Sequence, residues 1–244
     1  MPPAALATGN DCFQWSGRAL SREWRPSGGV PVQSSSSAAM DNEYPMAPET
    51  STDTLRAYAQ GLFPMDDADA PDDPLPFYTA DPRCVLDVSP EGISRLRHRL
   101  RRSLRRPEAQ GWEPDVDRAF EAVLAACMDR PADGEWITPR LAGLYRDLHD
   151  AGFAHSFELW DDSELIAGVL GVVIGRAAML ESMFHRISHA GNVNLVRTLE
   201  ALAAGDVVLC DIQLPTEHTL RIGAQLIPAA EYTDRLAAAL APRL

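Results

Sequence analysis

HSFELWDDSELIAGVLGVVIGRAAMLESMF, residues 155–184, decides the architecture. Its three apolar segments, HSFELW, ELIAGVLGVVIG and RAAMLESMF, are separated by Asp161-Asp162-Ser163 and by Gly175, both turn signals. The stretch therefore reads as three strands in an antiparallel meander. Downstream, residues 191–204 carry a helical pattern, and VVLCDIQLPTEHT (207–219) reads as a buried strand followed by a polar turn. A short turn or helix, a strand near AQLI and a last helix from Pro228 to Ala239 complete a β-α-β arrangement. Upstream the pattern is helical. A helix from Asp53 to Gln60 is closed by Gly61, an amphipathic one runs from Asp115 to Cys127, and Thr138-Pro139 opens a third that stops at Gly152. Helices, then a meander, then strands joined by crossovers predict an α+β chain, an α/β sandwich.

The 244 residues, 45% hydrophobic, are enough to bury a substantial core. The net charge is -13, which favours solubility, yet all 22 basic residues are arginine. Without lysine there is no Schiff-base chemistry, no Walker-type phosphate loop and no lysine nucleophile. Cys12, Cys84, Cys127 and Cys210 are widely spaced and form no CxxC pair, so reduced thiols in a cytoplasmic protein are expected. No apolar run approaches the roughly 20 residues of a membrane span. Residues 1–50, rich in Pro, Gly and Ser, read as a disordered extension.

Charge is unevenly distributed. FPMDDADAPDDPLPFYTADPR (63–83) is an acidic, proline-punctuated loop. GISRLRHRLRRSLRRP (92–107) instead places Arg95, Arg97, Arg99, Arg101, Arg102, Arg105 and Arg106 around a helix whose apolar positions are Ile93, Leu96, Leu100 and Leu104. Such a run is a solvated face or a phosphate-binding one, and in an otherwise acidic chain RNA is a plausible partner.

Strand alternation puts Asp211 and Gln213 on one face and Cys210, Ile212 and Leu214 on the other. A carboxylate on a core strand needs a partner or a function. Cys210, facing away, is excluded as a nucleophile assisted by its neighbour. Glu181, His185 and His189 recur at intervals of four. On a strand this spacing leaves successive members roughly 13 Å apart, so no metal site is expected and the histidines read as surface residues. Trp160 reads as core, whereas Trp136, just before a helix, is placed to stack on a planar ligand.

In order along the chain, AYAQGLFP, ADPR, GEWIT, AHSFELW, ESMFHR and CDIQLPTEHTLRIGA resemble the leucyl/phenylalanyl-tRNA–protein transferase family across residues 54–233. The resemblance implies three segments: the extension at 1–50, a small N-terminal domain with the basic helix at 51–110, and a transferase domain similar to the GNAT fold at 111–244. It implies transfer of Leu or Phe, or Met, from aminoacyl-tRNA to a protein beginning with Arg or Lys, by a cytoplasmic monomer without metal, cofactor or covalent intermediate. Asp211, Gln213 and Glu181 match the catalytic positions. Asp211 would orient the side-chain amide of Gln213, whose oxygen would meet the attacking amine, and Glu181 would hold the cationic acceptor. Trp136 matches an aromatic that stacks on the terminal adenosine, and the seven arginines match the tRNA surface.

Departures from the family pattern fall at Met65, where an aromatic is usual, and at Leu180, where glycine is usual. With Val169, Leu170 and Ala178 these residues are expected to shape the substrate pocket. The same departures allow a relative acting on a small-molecule or peptide acceptor. An acyl-CoA N-acyltransferase lacks its glycine-rich turn here, RISHAGN being the nearest stretch. An inactive tRNA-binding module is disfavoured by Asp211, Gln213 and Glu181.

Overall fold

The computed structural model describes residues 50–69, 73–129 and 136–242, so the extension expected at 1–50 lies almost wholly outside the described residues. Helix α1 (Ser51–Ala59) is capped by Thr50, whose side chain accepts from the Asp53 N–H, and buries Leu55 and Tyr58. A two-stranded ribbon, β1 (Phe63–Pro64) with β2 (Phe77–Tyr78), brackets the acidic loop. Next come β3 (Arg83–Leu86), α2 (Pro90–Arg99) and α3 (Arg101–Leu104). The basic segment is thus two helices rather than one. Leu100, at φ -92° and ψ 11°, breaks it and turns the second piece.

Strand β4 (Glu113–Val116) precedes α4 (Phe120–Met128). The helix expected from Asp115 is therefore corrected at its start, because Glu113–Val116 pairs with Trp160–Phe157. Helix α5 (Pro139–Asp150) begins as expected, with Thr138 accepting from the Leu141 N–H. The meander follows as β5 (Ala154–Asp161), β6 (Glu164–Ile174) and β7 (Ala177–His185). Gly175 supplies the positive φ, 57°, of the tight β6–β7 turn. The chain ends with α6 (Ala190–Ala204), β8 (Leu209–Asp211), α7 (Glu217–Ile222), β9 (Gln225–Ile227) and α8 (Ala229–Leu240).

Among the described residues, seven strands form one sheet in the order β4-β5-β6-β7-β8-β3-β9, and only the β7–β8 pair is parallel. Leu170, Val172, Met179 and Leu209 pack on one face with residues of α1, α4, α5 and α8. Val169, Val173, Leu180 and Cys210 pack on the other with residues of α2 and α6. The result is the expected α+β class, a helix–sheet–helix sandwich. The boundary expected at 110/111 does not interrupt the sheet, since β3 sits between β8 and β9 and α2 packs on α6. A strand from the first half of the chain is thus embedded among those of the second.

Candidate active site

The parallel pairing of β7 with β8 covers only Ala177–Met179 against Leu209–Asp211. Beyond it, β7 runs on to His185 beside β6, while residues 212–213 stay with β3: the Ile212 N–H donates to the Cys84 carbonyl and the Cys84 N–H to the Gln213 carbonyl, both at 3.0 Å. The two strands separate, and a cavity of about 780 Å³ opens between them. Its size suits a small-molecule or nucleoside-bearing ligand.

At the point of separation Asp211 is fully buried and bound on several sides. Arg83 grips it through two bonds, Nε to Oδ1 at 2.9 Å and Nη2 to Oδ2 at 2.6 Å. The Tyr232 hydroxyl donates to Oδ2 at 2.8 Å, and the Gln213 backbone N–H donates to Oδ1 at 2.8 Å. Burial disfavours the Arg83 charge, but the Asp211 carboxylate more than compensates and holds the guanidinium protonated above its usual range. The expected contact between Asp211 and the side-chain amide of Gln213 is therefore corrected to a contact with its backbone. Gln213 sits at φ 54°, left-handed, so strand alternation has already ended, and Ile212, Gln213 and Leu214 all line the cavity.

Glu181 occupies a β-bulge. Leu170 pairs with Ser182 and Gly171 with Leu180, which leaves Glu181 as the extra residue of β7. Its carboxyl accepts from Tyr145 at 3.3 Å, and the buried hydroxyl of Tyr58 lies close by. Burial pushes the carboxyl up to about 8; nearby Tyr58 and Arg83 oppose that rise and Asp211 adds to it. The Gln213 amide approaches Glu181 Oε1 at 3.3 Å. With its amide turned over, the nitrogen donates to the carbonyls of Ile212 and Leu180, each at 3.0 Å, and the oxygen faces Glu181 and the cavity. A protonated Glu181 can donate to that oxygen, so the turned amide and the raised carboxyl fit each other.

Apolar side chains complete the cavity. Val169, Leu180 and Met183 come from the meander, Leu86 from β3 and Leu195 from α6, with Phe63, Met65 and Trp136 at the side of the ribbon. Asp66 joins Met65 to Trp136: its N–H donates to the Trp136 carbonyl at 3.3 Å, and its carboxylate takes bonds from Thr138 and Arg140. Of the pocket residues expected from sequence, Met65, Trp136, Val169 and Leu180 line the cavity. Leu170 and Ala178 do not. Both are fully buried, Leu170 in the core on the far face and Ala178 below Leu180, next to the last β7–β8 ladder pair. His185 and His189 also line the cavity, and His185 is exposed as expected. No group of three metal-ligating side chains forms among the described residues.

The sequence profile of the leucyl/phenylalanyl-tRNA protein transferase family matches residues 89–237, more than half of the chain. Relatives that are named leucyl/phenylalanyl-tRNA–protein transferases include one from Salinibacter ruber, 40% identical over 186 residues, which cover 76% of this chain and 78% of that protein. One from Anaeromyxobacter dehalogenans is 41% identical over 189 residues, covering 76% and 77%. The chain belongs to this family. Among solved structures, FemX superposes with a TM-score of 0.45 at 11% identity, over 76% of this chain and 69% of that one.

For a leucyl/phenylalanyl-tRNA–protein transferase family member, the residues overlooked in the sequence are as informative as those expected. Arg83, Tyr58, Tyr145 and Tyr232 surround Asp211 and Glu181 without any local motif. Arg83 and Tyr58 do lie in the matched stretches ADPR and AYAQGLFP, which was the available signal. The seven arginines of α2, α3 and the residues that follow are all exposed. Three are ion-paired: Arg95 with Asp87 at 2.5 Å, Arg97 with Glu200 and Arg106 with Glu108. Arg99, Arg101, Arg102 and Arg105 make no ion pair among the described residues. Among the described residues no helix is long and apolar enough to cross a membrane.

Proposed function

We propose that the cavity binds the aminoacylated 3′ end of a tRNA and there transfers Leu, Phe or Met to the α-amine of a protein that begins with Arg or Lys. Membership of the family supplies the reaction class, aminoacyl transfer from tRNA to protein. The observation that supports these assignments is the convergence of Glu181 and Gln213 on a cavity whose other walls are apolar. Val169, Leu180, Met183 and Leu195 receive the amino-acid side chain, while Trp136 and Met65 pack on the terminal adenine. The reading includes a monomer acting in the cytoplasm, with tRNA bound along the arginine-bearing helices.

The ester is already activated, so the chemistry is chiefly placement. The acceptor nitrogen attacks the ester carbonyl, a C–N bond forms, and the C–O bond to the ribose breaks. The amine gives up one proton and the departing ribose oxygen takes one. An N-terminal amine, with a pKa near 8, is partly neutral at pH 7 and needs no strong base. The Gln213 oxygen accepts an N–H of that amine and aims its lone pair. The cationic side chain of the acceptor settles beside Glu181 and draws its carboxyl toward the ionised form.

The test is incubation with a full pool of charged tRNA and peptides beginning with Arg, Lys or Ala. A mass gain of one Leu, Phe or Met residue on the Arg and Lys peptides, abolished by ribonuclease, is expected. No gain on any peptide rejects the reading, and a gain on the Ala peptide alone rejects the acceptor assignment.

A further inference from the structure

We infer that Arg83 and Tyr232 are positioning residues for the transfer reaction: they hold Asp211 so that it fixes the Gln213 backbone, and with it the amide that meets the acceptor amine. This rests on the proposed role of Gln213.

Gln213 is a non-glycine residue in the left-handed region, at φ 54°, a conformation that persists only where its surroundings impose it. What imposes it is visible. Its N–H is bonded to Asp211 Oδ1 at 2.8 Å and its carbonyl to the Cys84 N–H at 3.0 Å, so the residue is clamped from both sides of its Cα. Asp211 is itself immobilised by the fork of Arg83 and the hydroxyl of Tyr232. Arg83, 1% exposed, is held in turn by the Gly61 carbonyl at 2.8 Å. Its guanidinium carbon lies 4.7 Å from the ring centre of Phe63 and 4.4 Å from that of Tyr232. Phe63 lines the cavity. One guanidinium therefore ties the catalytic strand end to the ribbon wall, and neither it nor Tyr232 lines the cavity. A planar, bidentate cation is required, because an ammonium cannot bond both carboxylate oxygens and stack between two rings at once.

The variants that test this are Tyr232→Phe, which keeps the ring and loses the hydroxyl, and Arg83→Lys, which keeps the charge and loses the fork. Two quantities are read: kcat and KM for aminoacyl-tRNA, and hydrogen exchange at the Gln213 backbone amide followed by NMR. For Tyr232→Phe, Gln213 exchange speeds up about tenfold while the core strands keep their protection, and kcat falls about tenfold with KM within twofold, as loss of one hydrogen bond to a charged group predicts. Arg83→Lys lowers kcat further, about a hundredfold. Unchanged Gln213 exchange in Tyr232→Phe overturns the inference, as does a rise in KM with kcat intact. Exchange needs no turnover, so a wild-type protein inactive in transfer would sink the functional reading while leaving the positioning test decisive. If Arg83→Lys fails to fold, Tyr232→Phe alone decides.

Discussion

Glu181 and Gln213 meet across the gap between two separating strands, 3.3 Å from Oε1 of one to the side-chain amide of the other. A β-bulge brings the first there and a left-handed backbone brings the second. Neither position follows from strand geometry. Each is a local departure from it, fixed by buried polar contacts, and such departures concentrate where chemistry is done.

The raised carboxyl of Glu181 predicts a pH-dependent stability. Its folded value of about 8 exceeds that of an unfolded glutamate, about 4.3, so between these values the folded state binds the extra proton and stability falls as pH rises. Below about pH 4 both states are protonated and the effect vanishes. Glu181→Gln cannot ionise. Its melting temperature is expected to lie close to wild type near pH 5 and to exceed it at pH 8.5, the gap widening by roughly 4 kcal/mol between the two. Transfer activity should fall about a hundredfold in the same variant. Melting curves that stay parallel from pH 5 to pH 9 would contradict the assignment of the titrating group.

The buried Arg83–Asp211 pair predicts that stability and activity can be separated. Asp211→Ala leaves an unpaired guanidinium in the core and should cost about 3–5 kcal/mol. A double variant, Arg83→Met with Asp211→Leu, removes both charges and should recover most of that loss in chemical denaturation. Transfer should remain absent in both, since neither can fix the Gln213 amide. Recovery of activity along with stability would show that the pair is structural only.

Periodicity and turn residues made the sandwich legible, because burial alone dictates them. The meander, the capped α5 and the crossover into α6 all follow from apolar spacing, Asp161–Ser163, Thr138-Pro139 and Gly175. Two kinds of information were not legible. Pairing partners distant in sequence give no local signal, so neither the insertion of β3 between β8 and β9 nor the strand at Glu113–Val116 could be read from periodicity. Strand alternation also presumes a continuing strand. It correctly put Cys210 away from Asp211, then failed at Gln213, where the ladder with β7 had stopped. Leu170 was expected at the cavity from the family resemblance, whereas alternation along β6 turns it to the face opposite Val169.

Trp136 predicts an effect on tRNA recognition that is distinct from catalysis. The Asp66 contact joins it to the ribbon beside Met65, and both residues line the cavity. Trp136→Ala removes a stacking surface worth about 1–3 kcal/mol and should raise KM for charged tRNA about tenfold or more, with kcat within threefold. Steady-state kinetics at saturating acceptor peptide measure both. A fall in kcat at unchanged KM would move Trp136 from the adenosine to the reacting centre.

Leu180 predicts a shift in which amino acid is transferred. It lines the cavity and packs against Gly171, where an added Cβ would come within 3.0 Å of its Cδ2. Leu180→Ala should enlarge the apolar part of the cavity and raise transfer of Phe relative to Leu about tenfold in a competition between the two charged tRNAs, the range that one or two methylenes control. An unchanged ratio would place the side-chain pocket elsewhere.

The arginine helices predict a graded response to substitution. Arg95, Arg97 and Arg106 already have carboxylate partners, so phosphates must displace those partners. Arg99, Arg102 and Arg105 are exposed and make no ion pair among the described residues. Replacing the second set with Ala should weaken tRNA binding more than replacing the first. It should also lower the slope of log K against log salt by about 2, close to 0.7 for each lost phosphate contact. Filter binding at several salt concentrations gives both numbers. Equal effects from the two sets would mean that the surface pairs open freely in solution, as weak exposed pairs do. Unchanged binding in both would reduce these helices to a solvated face of the sandwich and move the tRNA to another surface.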